Sequence, residues 1–257
     1  MSSPLSLRQA LPDGLRLAVT AVRRAPAAAV LIALSMLVPT LLAERTIGLG
    51  VALLIMVAQL AAGVVGIAGL TRAALGRTAP PVGLRLDRDE ARLLASIALS
   101  GLFLVLVALV LGLVLLAVAG ATGFGGGADF AVVAQASATQ PGWRMWVVLA
   151  LEIATVMVLL SLWARVLPAG PATLATGQVV SLAALKWTRG SGLRPMAGLM
   201  VMLAPSFALV SWALLGAPEA DWVDGVWALV LAGVQAPLLV GYATAMFRQT
   251  APEGVAK

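Results

Sequence analysis

The chain contains no cysteine and no histidine. Without thiols it has no disulfide, no thiolate metal ligand and no cysteine nucleophile. Without imidazole it lacks the commonest general base and transition-metal ligand. Charge is scarce as well, at 11% of residues, where a soluble domain carries about 25%. There is no zinc-protease helix motif, no glycine-rich phosphate loop ending in Lys-Ser or Lys-Thr, and no Gly-x-Ser-x-Gly elbow. The run GFGGGAD at 123–129 has the glycines of a phosphate cradle, but it follows an apolar span with no strand before it, and reads as a flexible external loop. These absences predict a protein that is not an enzyme and that carries neither cofactor nor metal site.

What the chain does have is apolar surface. Of its 257 residues 61% are hydrophobic, with a mean hydropathy of +1.02, more than a single aqueous core of this size can bury. Several apolar runs exceed the roughly 18–20 residues that cross hydrocarbon as helix. The expected fold class is therefore all-α, a polytopic transmembrane helical bundle of six spans with short amphipathic interfacial helices on the cytoplasmic side. The spans read as 25–43, 47–70, 93–119, 143–164, 195–215 and 223–247. Only Glu44, Arg45 and Thr46 separate the first two, which predicts a tight hairpin. Pro39 and Pro205 break two spans, and Pro237 frees backbone groups in the last. The domain organisation is a cytoplasmic basic segment at 1–24, a six-span domain at 25–247 and a cytoplasmic tail at 248–257.

Orientation follows from the cations, since cytoplasmic segments are rich in Lys and Arg. The N-terminal segment, the connections after the second and fourth spans, and the tail together hold 15 of the 17 cationic residues. The other side keeps only Arg45 and Arg144. Both termini are therefore expected on the cytoplasmic side of a chain that crosses its membrane several times. The sequence pI of about 11.2 is this topology signal. Cations divided among four membrane-flanking segments do not form one nucleic-acid stripe, so nucleic acid is excluded as a partner. Arg23-Arg24 before an apolar run reads as part of an uncleaved signal anchor.

The expected lipid contacts lie on that basic side. Leu15, Val19 and Val22 recur at helical spacing with Arg16, Arg23 and Arg24 alongside, which predicts a short amphipathic helix on the anionic inner leaflet, while Pro12-Asp13-Gly14 should end any earlier helix. In LDRDEARLL, Asp87 and Glu90 form a variant capping box that starts a helix leading into the third span. Asp87, Asp89 and Glu90 resemble a metal cluster, but nothing nearby completes a coordination shell. In VVSLAALKWTRGSG, Val180, Ala183, Ala184 and Trp187 share a face, with Lys186 and Arg189 polar and Gly190 as a stop. Lys186, Trp187, Arg189, Arg16, Arg23 and Arg24 are the candidate headgroup contacts. Membrane lipids are the expected partner, with a membrane-protein partner or homo-oligomer as the alternative.

The segment ARVLPAGPATLATGQVVSLAALKWTRGSGLRPMAGLMVM at 164–202 resembles bacterial six-span membrane proteins related to the membrane domain fused to some glycerophosphodiester phosphodiesterases. In that family a span ends in a Pro-Ala-type stretch and is followed by an amphipathic helix and a Leu-Thr-Arg-Gly-like turn. Leu167-Pro168-Ala169 and Trp187-Thr188-Arg189-Gly190 occupy those places, and the basic segment 15–24 resembles the family's opening. The acidic residue usual before the amphipathic helix is replaced by Ala175-Thr176-Gly177. The resemblance implies six spans and a non-catalytic membrane role. The phosphodiesterase barrel, which uses histidine and acidic residues, has no counterpart here. Family likeness and the Ala/Arg-rich composition together imply a bacterial origin.

Inside the membrane the candidates are few. Glu152 lies six residues beyond Trp146, or roughly 9 Å deeper along a helix. A carboxylate there costs about 2.5–3.5 kcal/mol at mid-helix and less off-centre. Gln59 and Gln235 sit near the middle of their spans. The three define a candidate polar pocket for a lipid headgroup, a cation or a proton, and the plainer reading is a set of inter-helix hydrogen bonds. The expected function is a non-enzymatic membrane protein engaging lipids or a partner. A transporter or permease-like subunit using the Glu152 pocket is the alternative, with the external loop at 120–142 as a lid or surface helix.

Overall fold

The structure is a computed structural model that describes residues 5–42, 48–77, 84, 87–121, 142–214 and 222–252. The hairpin at 44–46, the glycine run at 123–129 and the external loop expected to form a lid or surface helix lie outside the described residues. Among those described, every regular element is helical: α1 Leu7–Arg24, α2 Pro26–Leu42, α3 Leu49–Leu75, α4 Arg88–Ala121, α5 Trp143–Val166, α6 Ala169–Thr176, α7 Ala183–Trp187, α8 Arg194–Met202, α9 Ala204–Leu214, α10 Trp222–Val230 and α11 Ala236–Thr250. A π-helical turn, Leu231–Gln235, joins α10 to α11. Four helical stretches are long and apolar enough to cross a membrane, and up to six if α1 with α2 and α8 with α9 each count as one bent span. The all-α membrane-type bundle expected from hydropathy is the fold observed.

Proline explains the breaks. Pro205 stands at the start of α9, where it has no N–H for the carbonyl of Val201 and its ring crowds that turn. The chain bends 54° between α8 and α9. Pro237 follows the π-helical turn, whose wider ring accommodates a missing N–H. At Pro39 the expected break is absent: α2 continues through it to Leu42.

The same residue type gives a second departure from expectation. α1 runs through Pro12 and Gly14 without interruption. Its buried stripe is not Leu15, Val19 and Val22 but the small residues Ala10, Gly14, Ala18 and Ala21, which lie against α11. Backbones meet closely there. A Cβ on Gly241 would fall on the Gly14 carbonyl oxygen and 2.7 Å from the Ala18 nitrogen, and one on Gly14 would lie 3.1 Å from Tyr242 Cα. That packing offsets the roughly 3 kcal/mol an interior proline costs a helix. Leu15 and Val19 point outward, 50% and 52% exposed, beside exposed Arg16 and Arg23. At Ala25 the chain turns 90° from α1 into α2.

α11 is the hub, packing on α1, α3, α6 and α8. One core cluster gathers Leu5, Ala10, Leu199, Met202, Tyr242 and Met246, and a second gathers Ala21, Ala28, Ile32, Leu70, Ala73 and Val240. Both lie toward the basic end. At the opposite end Leu49, Leu53, Leu54, Met56 and Val57 of α3 and Leu102, Val105, Leu106, Leu109, Val110 and Leu113 of α4 remain exposed. Only 11% of the most apolar window of α4 is buried within the protein, so most of its surface must meet lipid or another chain.

Candidate functional site

Between α3, α4, α5, α6 and α11 the helices form a half-open cavity of about 450 Å³. It is walled by α3 and α4 on one side, by α5 and α6 on another, and by the π-helical turn and α11 across from them, with Met36 of α2 closing one edge. Along α4 it extends from Leu93 to Leu104, roughly 16 Å at 1.5 Å per residue. The lining is aliphatic apart from Trp163 and four polar side chains, Thr71, Ser96, Ser100 and Gln235, and among the described residues it includes no ionisable group. A mostly apolar concave space with a few polar groups is the usual form of a small-ligand site.

Three of the four polar groups already have partners. Thr71 Oγ1 donates to the Ile67 carbonyl at 2.7 Å. Ser96 Oγ donates to the Val180 carbonyl, which also accepts from Thr173 Oγ1 at 3.1 Å. Gln235 Nε2 donates to the Met202 carbonyl at 2.9 Å, and its Oε1 accepts from Ser206 Oγ at 2.7 Å. Gln235 thus bridges the break between α8 and α9, bonding the Met202 carbonyl on one side and the Ser206 hydroxyl on the other. Ser100 is different. It is 9% exposed, and its hydroxyl has no partner among the described residues.

No family model, curated protein or solved structure matches this chain. The site must be read from its own chemistry.

The intramembrane trio named from sequence is not joined in the fold. Glu152 is half-buried on α5, which packs on α4, α7 and α8, and it makes no hydrogen bond among the described residues. Gln59 Nε2 on α3 is buried without a partner. Gln235 alone lines the cavity, and its amide is committed to Met202 and Ser206. No hydrogen bond among the described residues connects the three.

The basic end divides its cations into two groups. One group is used inside the protein. Arg72 pairs with buried Glu90, which also accepts the Asp87 N–H at 2.8 Å, so one half of the expected capping box forms and α4 starts at Arg88. Arg92 pairs with Asp89 at 3.1 Å. Arg77 donates to the carbonyls of Leu174 and Ala175, and Arg248, Arg165 and Arg194 donate to those of Ala74, Gly192 and Leu5. Several of these carbonyls are helix C-terminal orphans. The second group is Arg8, Arg16, Arg23, Arg24, Arg88, Lys186 and Arg189, all exposed and with side chains that make no hydrogen bond or ion pair among the described residues. It includes the five cations named as headgroup contacts, and Arg8 and Arg88 besides. Trp187, named with them, packs on Phe247 with ring centroids 6.3 Å apart.

The expected interfacial helix around Trp187 is short. α7 covers only Ala183–Trp187. Gly177, at φ +65°, ends α6 in a left-handed cap, and Thr173 Oγ1 accepts the Val180 N–H at 3.0 Å. Those bonds hold the chain before α7 out of helix. Ala184 is buried against Val166 and Ala169, and the predicted apolar face is turned partly into the protein. The serines of the cavity were missed by sequence reading. Their signal was present, since Ser96 and Ser100 stand one turn apart on one face of an otherwise aliphatic span.

Proposed function

We propose that this is a non-enzymatic protein of the bacterial cytoplasmic membrane that holds a lipid between its helices while its free cations rest on the anionic inner leaflet. The observation that carries the reading is the 450 Å³ apolar cavity, framed by helices whose outer faces are themselves apolar and exposed. A lipid chain can enter such a space without leaving hydrocarbon. The exposed set Arg16, Arg23, Arg24, Lys186 and Arg189 supports attachment to anionic headgroups, with each cation near the surface contributing about 1 kcal/mol. The family resemblance supports the same role: Leu167 and Ala169 of its Pro-Ala-type stretch line the cavity. A coupled transporter finds less support, because Gln235 is bound at a helix break and Glu152 lacks a bonded neighbour.

The test is to fill the cavity. Gly101 lines it, and a Cβ there meets nothing within 4 Å. Gly101→Leu should occupy ligand space while also improving helix propensity by up to about 1 kcal/mol. Mass spectrometry of protein purified in native lipid discs should find lipid retained by the natural chain and lost from the Gly101→Leu variant, with both equally folded. A natural chain that retains no lipid after gentle delipidation removes the reading.

A further inference from the structure

Threonine and serine in an apolar helix ordinarily satisfy the hydroxyl on the carbonyl three or four residues back. Thr71, Thr173, Thr244 and Thr250 each do so here. Ser100 does not, although it is nine-tenths buried and makes no other hydrogen bond among the described residues. A buried hydroxyl without a partner costs about 1–3 kcal/mol. It lines the cavity, and the other three polar side chains of that lining are already committed. Ser100 is therefore the one polar side chain of that lining with no hydrogen bond among the described residues, in a wall that has no ionisable side chain among them.

Depth constrains the ligand further. Ser100 lies seven residues beyond Leu93 on α4, roughly 10 Å along the axis from the point where the apolar span begins. A phosphate or carboxylate reaching Ser100 would be stripped of water with no cation to meet it, at a cost of several kcal/mol. Arg72 and Arg92, which pair with Glu90 and Asp89 at the basic end, do not line the cavity. We infer that the cavity takes a neutral lipid, a long apolar chain bearing a hydroxyl or carbonyl, and that Ser100 is the residue recognising that polar group.

The inference rests on the lipid-binding reading and sharpens it, and one experiment separates the two. The protein in lipid discs is photolabelled with three probes carrying the same mid-chain diazirine: hexadecanol, hexadecane and hexadecyl phosphate. Labelled peptides are mapped by mass spectrometry. The alcohol should label cavity-lining residues of α4 and α11, about three- to tenfold more than the alkane, the range one net hydrogen bond supplies. The phosphate should label the cavity least. Ser100→Ala should bring the alcohol down to the alkane's level and leave the alkane unchanged, while Gly101→Leu should abolish cavity labelling by both. If the alcohol and alkane label equally in the natural chain, or the phosphate labels the cavity as strongly as the alcohol, the neutral-ligand inference is overturned and the cavity reading stands. If all three label only the exposed faces of α3 and α4, and Gly101→Leu changes nothing, the cavity reading itself fails.

Discussion

Arg72 and Glu90 carry the strongest single coupling at the basic end. Their side chains are 11% and 5% exposed, and they join α3 to the first turn of α4. Glu90 also holds the N–H of Asp87, so one carboxylate fixes both a helix start and a helix pair. Removing one partner of a buried pair leaves an uncompensated charge, typically at about 3–5 kcal/mol. Glu90→Ala should therefore destabilise the folded state by about 3 kcal/mol in a denaturant titration in detergent. Glu90→Gln, which keeps an acceptor for Asp87, should lose less. A neutral outcome for Glu90→Ala would mean that Arg72 finds water when its partner is removed. The capping role was legible in LDRDEARLL, because a cap is a local bond between residues three apart. The pairing with Arg72 was not, because it depends on how α3 and α4 come together.

At the scale of elements, the long apolar helices were readable from hydropathy, and the packing between them was read only in outline. Gly66, Gly112 and Gly241 look alike in sequence, each a small residue in an apolar helix. In the fold they differ. A Cβ on Gly241 would strike α1, one on Gly66 would sit 3.0 Å from the Ala28 carbonyl oxygen, and one on Gly112 meets nothing within 4 Å. What separates them is which face meets another backbone, and a single sequence does not carry that. The small-residue stripe of α1 was hidden for a related reason: its larger apolar residues, Leu15 and Val19, drew attention to the face that points away from the protein. Gly241→Ala should force α1 off α11 and cost about 1–3 kcal/mol by overpacking. Gly112→Ala should be neutral or slightly stabilising. Thermal unfolding of the two variants in the same detergent compares them directly, and equal losses would show that the α1–α11 seam yields without strain.

For the whole molecule, the remaining question is which way the bundle faces. α5 has 24 residues from Trp143 to Val166, about 36 Å of helix, enough to cross a hydrocarbon core of about 30 Å. Gly142 and Gly190 therefore lie on opposite sides if α5 crosses. The free cations Lys186 and Arg189 flank the second of these positions, and the positive-inside tendency assigns that side to the cytoplasm. Because the chain has no cysteine, a single introduced thiol reports without background. Gly142 and Gly190 are both exposed, and a Cβ at either meets nothing within 4 Å, so Gly142→Cys and Gly190→Cys should fold normally. On intact bacterial spheroplasts, a membrane-impermeant maleimide should label Gly142→Cys at once and Gly190→Cys only after permeabilisation. The reverse pattern would invert the bundle and place the free cations outside, removing the inner-leaflet part of the proposed function while leaving the cavity untouched. Labelling of both before permeabilisation would mean that α5 does not cross. The cavity wall built from α5 and α6 would then lie outside the hydrocarbon, and a lipid held between that wall and α4 would lose the support of the proposed function.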